Sequence, residues 1–377
     1  MRINSFSGLR FFLTLFVFFT HCELFATIEK CQNLYSHVYY GGYSVTVFLM
    51  LSGFCVYLGY NTRFDSLSLN DIKAFIKKRF LKLYPAFIIS NFVVFLVHLI
   101  FDFAMSPHTL ESILRHIYHN LGSYLAIIFM VQAWIPSLAT VGNSASWFIS
   151  TLFFSYLISP IVIYYYNKIR TKCNFAIIFT VAFLFTFYTI PMIRSSIANL
   201  IEMSPINDEL FKYTFPLFRF PNFFFGIVLC DLYLKTENWL KENIKKCIFS
   251  LLEIALLASF FFIKDFQKVS VCRYVMFTLM IFVFAMDKGI VSKFFATKAS
   301  HWFSDRSLYF YLFHFPILSL PLFVFYKIRI YFLTLPENEA IVFASAYYTA
   351  GFLLSLLAAY LYDKAETKIT KRIKAKK

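Results

Sequence analysis

Long apolar runs separated by short polar, mostly basic stretches repeat along the whole chain. The runs lie near 9–27, 43–60, 83–103, 147–166, 174–193, 215–234, 247–263, 270–286, 307–327 and 340–362. Each approaches the roughly 20 helical residues that cross about 30 Å of hydrocarbon, so the pattern predicts ten transmembrane helices. A shorter run, 123–135, ends before Pro136 and reads as a re-entrant or interfacial piece. The expected fold class is all-α, a polytopic integral membrane helical bundle. No Gly/Ser/Pro-rich linker or repeat divides it. One transmembrane domain over 1–362 and a basic cytoplasmic tail over 363–377 are expected, the tail lying near anionic membrane lipids.

Charge fixes the orientation. With both termini cytoplasmic, inner segments hold 26 of the 36 Lys and Arg residues, outer segments hold eight, and Arg219 and Arg273 lie within spans. That asymmetry follows the positive-inside rule, and an eleventh span would invert it. The net charge of +16 is therefore membrane topology and gives no reason to expect nucleic acid. A composition 59% hydrophobic and 15% charged excludes a water-soluble globule of 377 residues. The seven cysteines form no disulfide framework and no metal-binding pattern. His21 and Glu23 interrupt the first run where a cleavable signal would be apolar or small, so it reads as a retained span.

Candidate chemistry begins in that span. Arg10 and His21 are eleven positions apart, about three turns, which puts both on nearly one helix face and about 16 Å apart along the axis. Ionisable groups at such depth usually face a bundle interior or a watery cavity. The plainer alternative is that Arg10 snorkels to lipid phosphates and His21 bonds a neighbouring helix. Glu23, about 200° further round, cannot orient that imidazole from the same face. Lys78, Arg79 and Lys82 cluster in the inner segment before Pro85. They are either topology determinants or a patch for the phosphates of a cytosolic donor, with Arg supplying a planar fork and Lys a point charge.

Five stretches together resemble the membrane-bound acyltransferase-3 family, whose members acylate surface polysaccharides and other extracytoplasmic acceptors. They are Arg10 with His21, Phe48-x-x-x-Ser52-Gly53-Phe54, Arg79-x-x-Lys82-Leu83-Tyr84-Pro85, Arg219-x-Pro221-x-Phe223-x-x-Gly226, and Tyr311-Leu312-x-His314-x-Pro316. Three positions depart from the pattern. Lys82 stands where a second Arg is usual, Asn222 where Glu is frequent, and no acidic residue follows Trp147 in its span.

The resemblance implies that His21 is the general base or carries a transient acyl group, and that Arg10 holds the donor or stabilises charge on the thioester oxygen. It implies that Arg79 and Lys82, with Lys78, bind the phosphates of acetyl-CoA or a related acyl-CoA, without a metal. His314, Trp147, Ser52, Arg219 and Glu23 are weaker cavity candidates. The implied activity is O-acyl transfer in the cell inner membrane to a hydroxyl of a surface polysaccharide or lipid-linked glycan. A non-enzymatic glycan or lipid transporter or flippase, and a structural partner in a polysaccharide-assembly complex, remain the rivals.

Overall fold

The computed structural model describes residues 3–105, 110–200, 204–262, 270–324 and 326–375. It is 88% helix, with no strand among the described residues. The helices run α1 Ser5–Thr20, α2 Glu29–Tyr39, α3 Ser44–Tyr60, α4 Leu69–Met105, α5 Leu110–Ile128, α6 Trp147–Arg170, α7 Phe175–Leu184 and α8 Ile190–Leu200. They continue with α9 Pro205–Thr214, α10 Pro216–Asn243, α11 Lys246–Phe261, α12 Ser270–Ala285, α13 Ile290–Phe295, α14 Lys298–Val324, α15 Tyr326–Thr334 and α16 Glu337–Ala375.

Every expected span contains a helix. Among the described residues, seven helical stretches are long and apolar enough to cross a membrane. The other three expected spans, near 9–27, 247–263 and 270–286, coincide with α1, α11 and α12, which have 16 residues each. At about 1.5 Å per residue such helices are roughly 24 Å long.

The first span is shorter than 9–27 because its end is tied down from outside. The Tyr35 hydroxyl donates to the Thr20 carbonyl at 2.9 Å, and the Leu24 N–H donates to the Tyr348 hydroxyl at 2.8 Å. With those backbone groups satisfied elsewhere, the chain leaves the helix at His21 and turns through a 3-10 segment, Glu23–Thr27. The basic segment before Pro85, by contrast, is no loop. It belongs to α4, which runs unbroken for 37 residues with Pro85 inside it. The run at 123–135 is the end of α5 followed by short 3-10 turns, Gln132–Trp134 and Pro136–Leu138.

Packing holds α1 in the middle of the bundle, against α3, α12, α13 and α14. Its N-terminus is closed by Asp287, whose carboxylate accepts from the N–H groups of Asn4 at 3.1 Å and Ser5 at 3.0 Å. Glu253 does the same for α13, accepting from the N–H groups of Gly289, Val291 and Ser292 and from the Ser292 hydroxyl. The closest crossing joins α3 to α10. A Cβ on Gly53 would lie 1.9 Å from the Phe223 carbonyl oxygen, and one on Gly226 would lie 1.9 Å from that of Met50. Only glycine fits at either position, as expected of small residues at membrane helix interfaces.

Two polar networks brace the ends. The Asn143 amide donates to the Leu312 carbonyl at 2.7 Å and the Ser90 hydroxyl at 3.1 Å, linking the segment before α6 to α14 and α4. Asp231, 1% exposed on α10, accepts from Arg170 at 2.6 Å and the Tyr166 hydroxyl at 3.0 Å, with Lys235 at 3.1 Å.

Candidate active site

The face of α1 that carries Arg10 also carries Thr14, Val17 and His21, at steps of four, three and four. These four side chains line two cavities placed end to end. The first, of about 530 Å³, is walled by Arg10, Thr14, Ser52, Arg79, Lys82 and Asp363 among others. The second, of about 470 Å³, is walled by Val17, Thr20, His21, Trp147 and Tyr213 among others. Tyr311 lines both. Its hydroxyl donates to the Ala145 carbonyl at 2.8 Å, which fixes the ring as the partition between them.

In the first cavity the cations are held in different ways. Arg10 donates to the Cys55 sulfur at 3.2 Å, a weak acceptor, and so keeps most of its donor capacity. The Arg79 guanidinium sits among the rings of Tyr156, Phe75 and Tyr60, 4.9, 5.1 and 5.7 Å from their centroids. Its Nε has no hydrogen-bond partner. Aromatic faces thus hold the charge in place without consuming its fork. Lys82 is engaged: it donates to the Tyr309 hydroxyl, which donates to Glu366, and its ammonium lies 3.6 Å from Glu366. Arg306, also lining this cavity, pairs with Asp363 at 2.6 Å and packs over Trp302. Lys78 is exposed and lies outside the cavity wall.

In the second cavity, His21 lies beside two rings. Its centroid is 5.2 Å from that of His314 and 5.1 Å from that of Phe315. His314 is 1% exposed. Its Nδ1 donates to the Tyr311 carbonyl at 2.7 Å, which fixes the tautomer and leaves Nε2 as an acceptor with no partner. The motif residues of α1 and α14 thus converge on one point beside the partition. Glu23 is exposed in the 3-10 turn, off this face. Trp147 packs on Tyr213 with centroids 4.9 Å apart, and the Arg219 guanidinium covers both rings. Arg219 reaches a third pocket rather than the His21 cavity.

Tyr311, Arg306, Asp363 and Glu366 were not singled out in the sequence. Tyr311 lies inside the Tyr311 to Pro316 motif, so a signal existed there. Asp363 and Glu366 lie in the expected tail, and α16, an unbroken continuation of its span, carries Asp363 into the cavity wall and Glu366 to the lining residue Lys82.

A family profile described as an acyltransferase domain, acyltransferase type 3, matches residues 3–363. The chain belongs to that acyltransferase family. Comparisons with curated proteins and with solved structures gave no match. The chain is accordingly an acyltransferase for groups other than aminoacyl groups, in a multi-pass membrane protein, with an acyl donor and an acceptor as its substrates.

Proposed function

We propose that this acyltransferase moves an acetyl or similar acyl group from cytoplasmic acyl-CoA to a hydroxyl of a surface polysaccharide or lipid-linked glycan. In this reading the bundle crosses the bacterial inner membrane ten times, with both termini cytoplasmic. The observation that carries it is the pair of cavities along one face of α1, cation-lined at the Arg10 end, imidazole-lined at the His21 end, and meeting at Tyr311. A donor that stays in the cytosol and an acceptor that never enters it need two such chambers.

Arg79 holds donor phosphate through its free fork, and Lys82 adds a point charge. Arg10 holds the donor or meets charge developing on the thioester oxygen as the carbonyl carbon is attacked. At the partition the C–S bond breaks and coenzyme A leaves as the thiolate, which becomes the thiol by taking up the proton that His21 removes from the acceptor. His21 takes the proton from the acceptor hydroxyl as the new C–O bond forms, either directly or after carrying the acyl group itself. His314 acts as a positioning residue: its bare Nε2 lone pair can accept a proton shared with the His21 ring.

The test is His21→Ala in the full chain, assayed by mass spectrometry of cell-surface glycans for the added acyl mass. The expected result is loss of modification with the protein still inserted and accumulating. Modification at the native rate would remove His21 from the chemistry.

A further inference from the structure

A third, smaller pocket opens beside the His21 cavity, and the two share the walls formed by Tyr43, Glu209 and Tyr213. It has a volume of about 290 Å³ and brings together Arg194 from α8, Arg219 from α10 and Arg273 from α12. None of the three forms an ion pair with a described carboxylate. Arg194 and Arg273 are each held through one nitrogen and Arg219 through two. Arg194 Nη1 donates to the Lys212 carbonyl at 2.7 Å, Arg219 Nη1 to the Thr46 hydroxyl at 3.2 Å and Nε to the Tyr213 carbonyl, and Arg273 Nη1 to the Tyr43 hydroxyl.

Two buried donors are left without a partner. Arg273 is 7% exposed and Arg219 8% exposed, and the Nε atoms of Arg194 and Arg273 are buried without a partner. A buried guanidinium with open donors is costly unless an acceptor fills it. Lys212, also in the wall, is neutralised by Asp208 at 2.5 Å, and Glu209 supplies the single lining carboxylate. Three cations against one anion leave two positive charges, which a dianion balances and a lone carboxylate does not. Asn222 lines the same pocket, where a Glu would supply one of the missing charges.

We propose that this pocket is an anion subsite holding a phosphate monoester or diphosphate carried by the acceptor. The planar forks of three arginines suit several phosphoryl oxygens at once. The subsite rests on the reading that the acceptor enters the His21 cavity, and it narrows that acceptor to a phosphorylated one. Charge anchored here places a neighbouring sugar hydroxyl at the imidazole, so binding energy is gained away from the reacting atoms.

Thermal unfolding of the full chain in lipid-free detergent micelles, titrated with inorganic pyrophosphate, tests it. Wild type gains a saturable rise in midpoint. Arg194→Gln and Asn222→Glu each weaken that response by about tenfold or more. Asn222→Glu adds a carboxylate beside Arg219 and one methylene, and its unfolding midpoint without pyrophosphate shows whether the fold is kept. Arg79→Gln removes the share of the response that comes from the donor cavity and leaves a saturable rise from this pocket. Retention of the response in both Arg194→Gln and Asn222→Glu, or its loss in Arg79→Gln, overturns the subsite. Micelles doped with phosphatidylglycerol separate the two phosphate sources. An unchanged pyrophosphate response supports the acceptor, and a response abolished by the lipid makes this a headgroup site and overturns the assignment. His21→Ala keeps the pyrophosphate response, so failure of the acyl-transfer reading would be seen separately in the glycan assay.

Discussion

In the proposed mechanism Arg79 and His314 carry complementary roles, and each can be separated kinetically. The Arg79 fork is unspent because rings rather than a carboxylate hold it, so removing it weakens donor binding and not the reacting centre. Arg79→Ala should raise the acyl-CoA KM by about tenfold or more with a smaller effect on kcat, and Arg79→Lys should recover only part of that. A KM unchanged in Arg79→Ala would take the residue out of the donor site. His314 predicts the opposite split. His314→Ala should lower kcat by about tenfold or more at unchanged acyl-CoA KM. His314→Gln, whose amide oxygen can stand near the Nε2 position, should recover part of the rate, a rescue that a purely structural histidine would not give. At this scale the sequence was informative where geometry is local. Arg10 and His21 share a face because helix pitch requires it. Tyr311 as partition and Asp363 in the donor cavity depend on how α14, α16 and the segment before α6 pack, and no local pattern carries that.

The elements show which sequence signals survive packing. Apolar run length located every helix of the expected spans, yet the end of α1 and the continuity of α4 were decided by other contacts. Tyr35 and Tyr348 take up backbone groups past Thr20, while nothing interrupts α4 between the basic cluster and Pro85. The Gly53 and Gly226 pair was legible as small residues in motifs, and the structure supplies its magnitude. A methyl at Gly226 meets a backbone carbonyl at 1.9 Å, which no rotamer change relieves. Gly226→Ala should therefore destabilise the α3 to α10 crossing by about 1–3 kcal/mol or more, read as a lowered unfolding midpoint in detergent. An unchanged midpoint would mean the crossing is looser than this geometry. Asp231 tests a later turn of the same helix. Asp231→Ala removes the acceptor shared by Arg170 and the Tyr166 hydroxyl and should cost about 1–3 kcal/mol, since solvent reaches the cations left behind. Arg170→Met should be milder on the same measurement, because Lys235 and Tyr166 still face the carboxylate.

At the scale of the whole molecule, α1 decides the topology. Its 16 residues fall short of the hydrocarbon thickness, but ten of them are buried inside the bundle, so lipid is not its solvent. Irregular backbone at membrane depth is tolerated where it is buried in protein or lines a cavity, and the turn after Thr20 does both. A short α1 can therefore complete a crossing with His21 and the following 3-10 segment at its far end. In the ten-span reading α11 and α12 cross as a pair, so they do not change which side later segments occupy. The N-terminus and Cys31 flank α1, and they lie on opposite faces only if α1 crosses. In spheroplasts carrying a variant whose sole cysteine is Cys31, a membrane-impermeant maleimide should label the protein. An N-terminal epitope should become reachable only after permeabilisation, and a sole Cys173, exposed after the basic end of α6, should behave like that epitope. If Cys31 and the N-terminus were reached from the same side, α1 would not cross. The cavity holding Arg10 and the cavity holding His21 would then open to one compartment, and a cytosolic donor could not be joined to an external acceptor along this helix face.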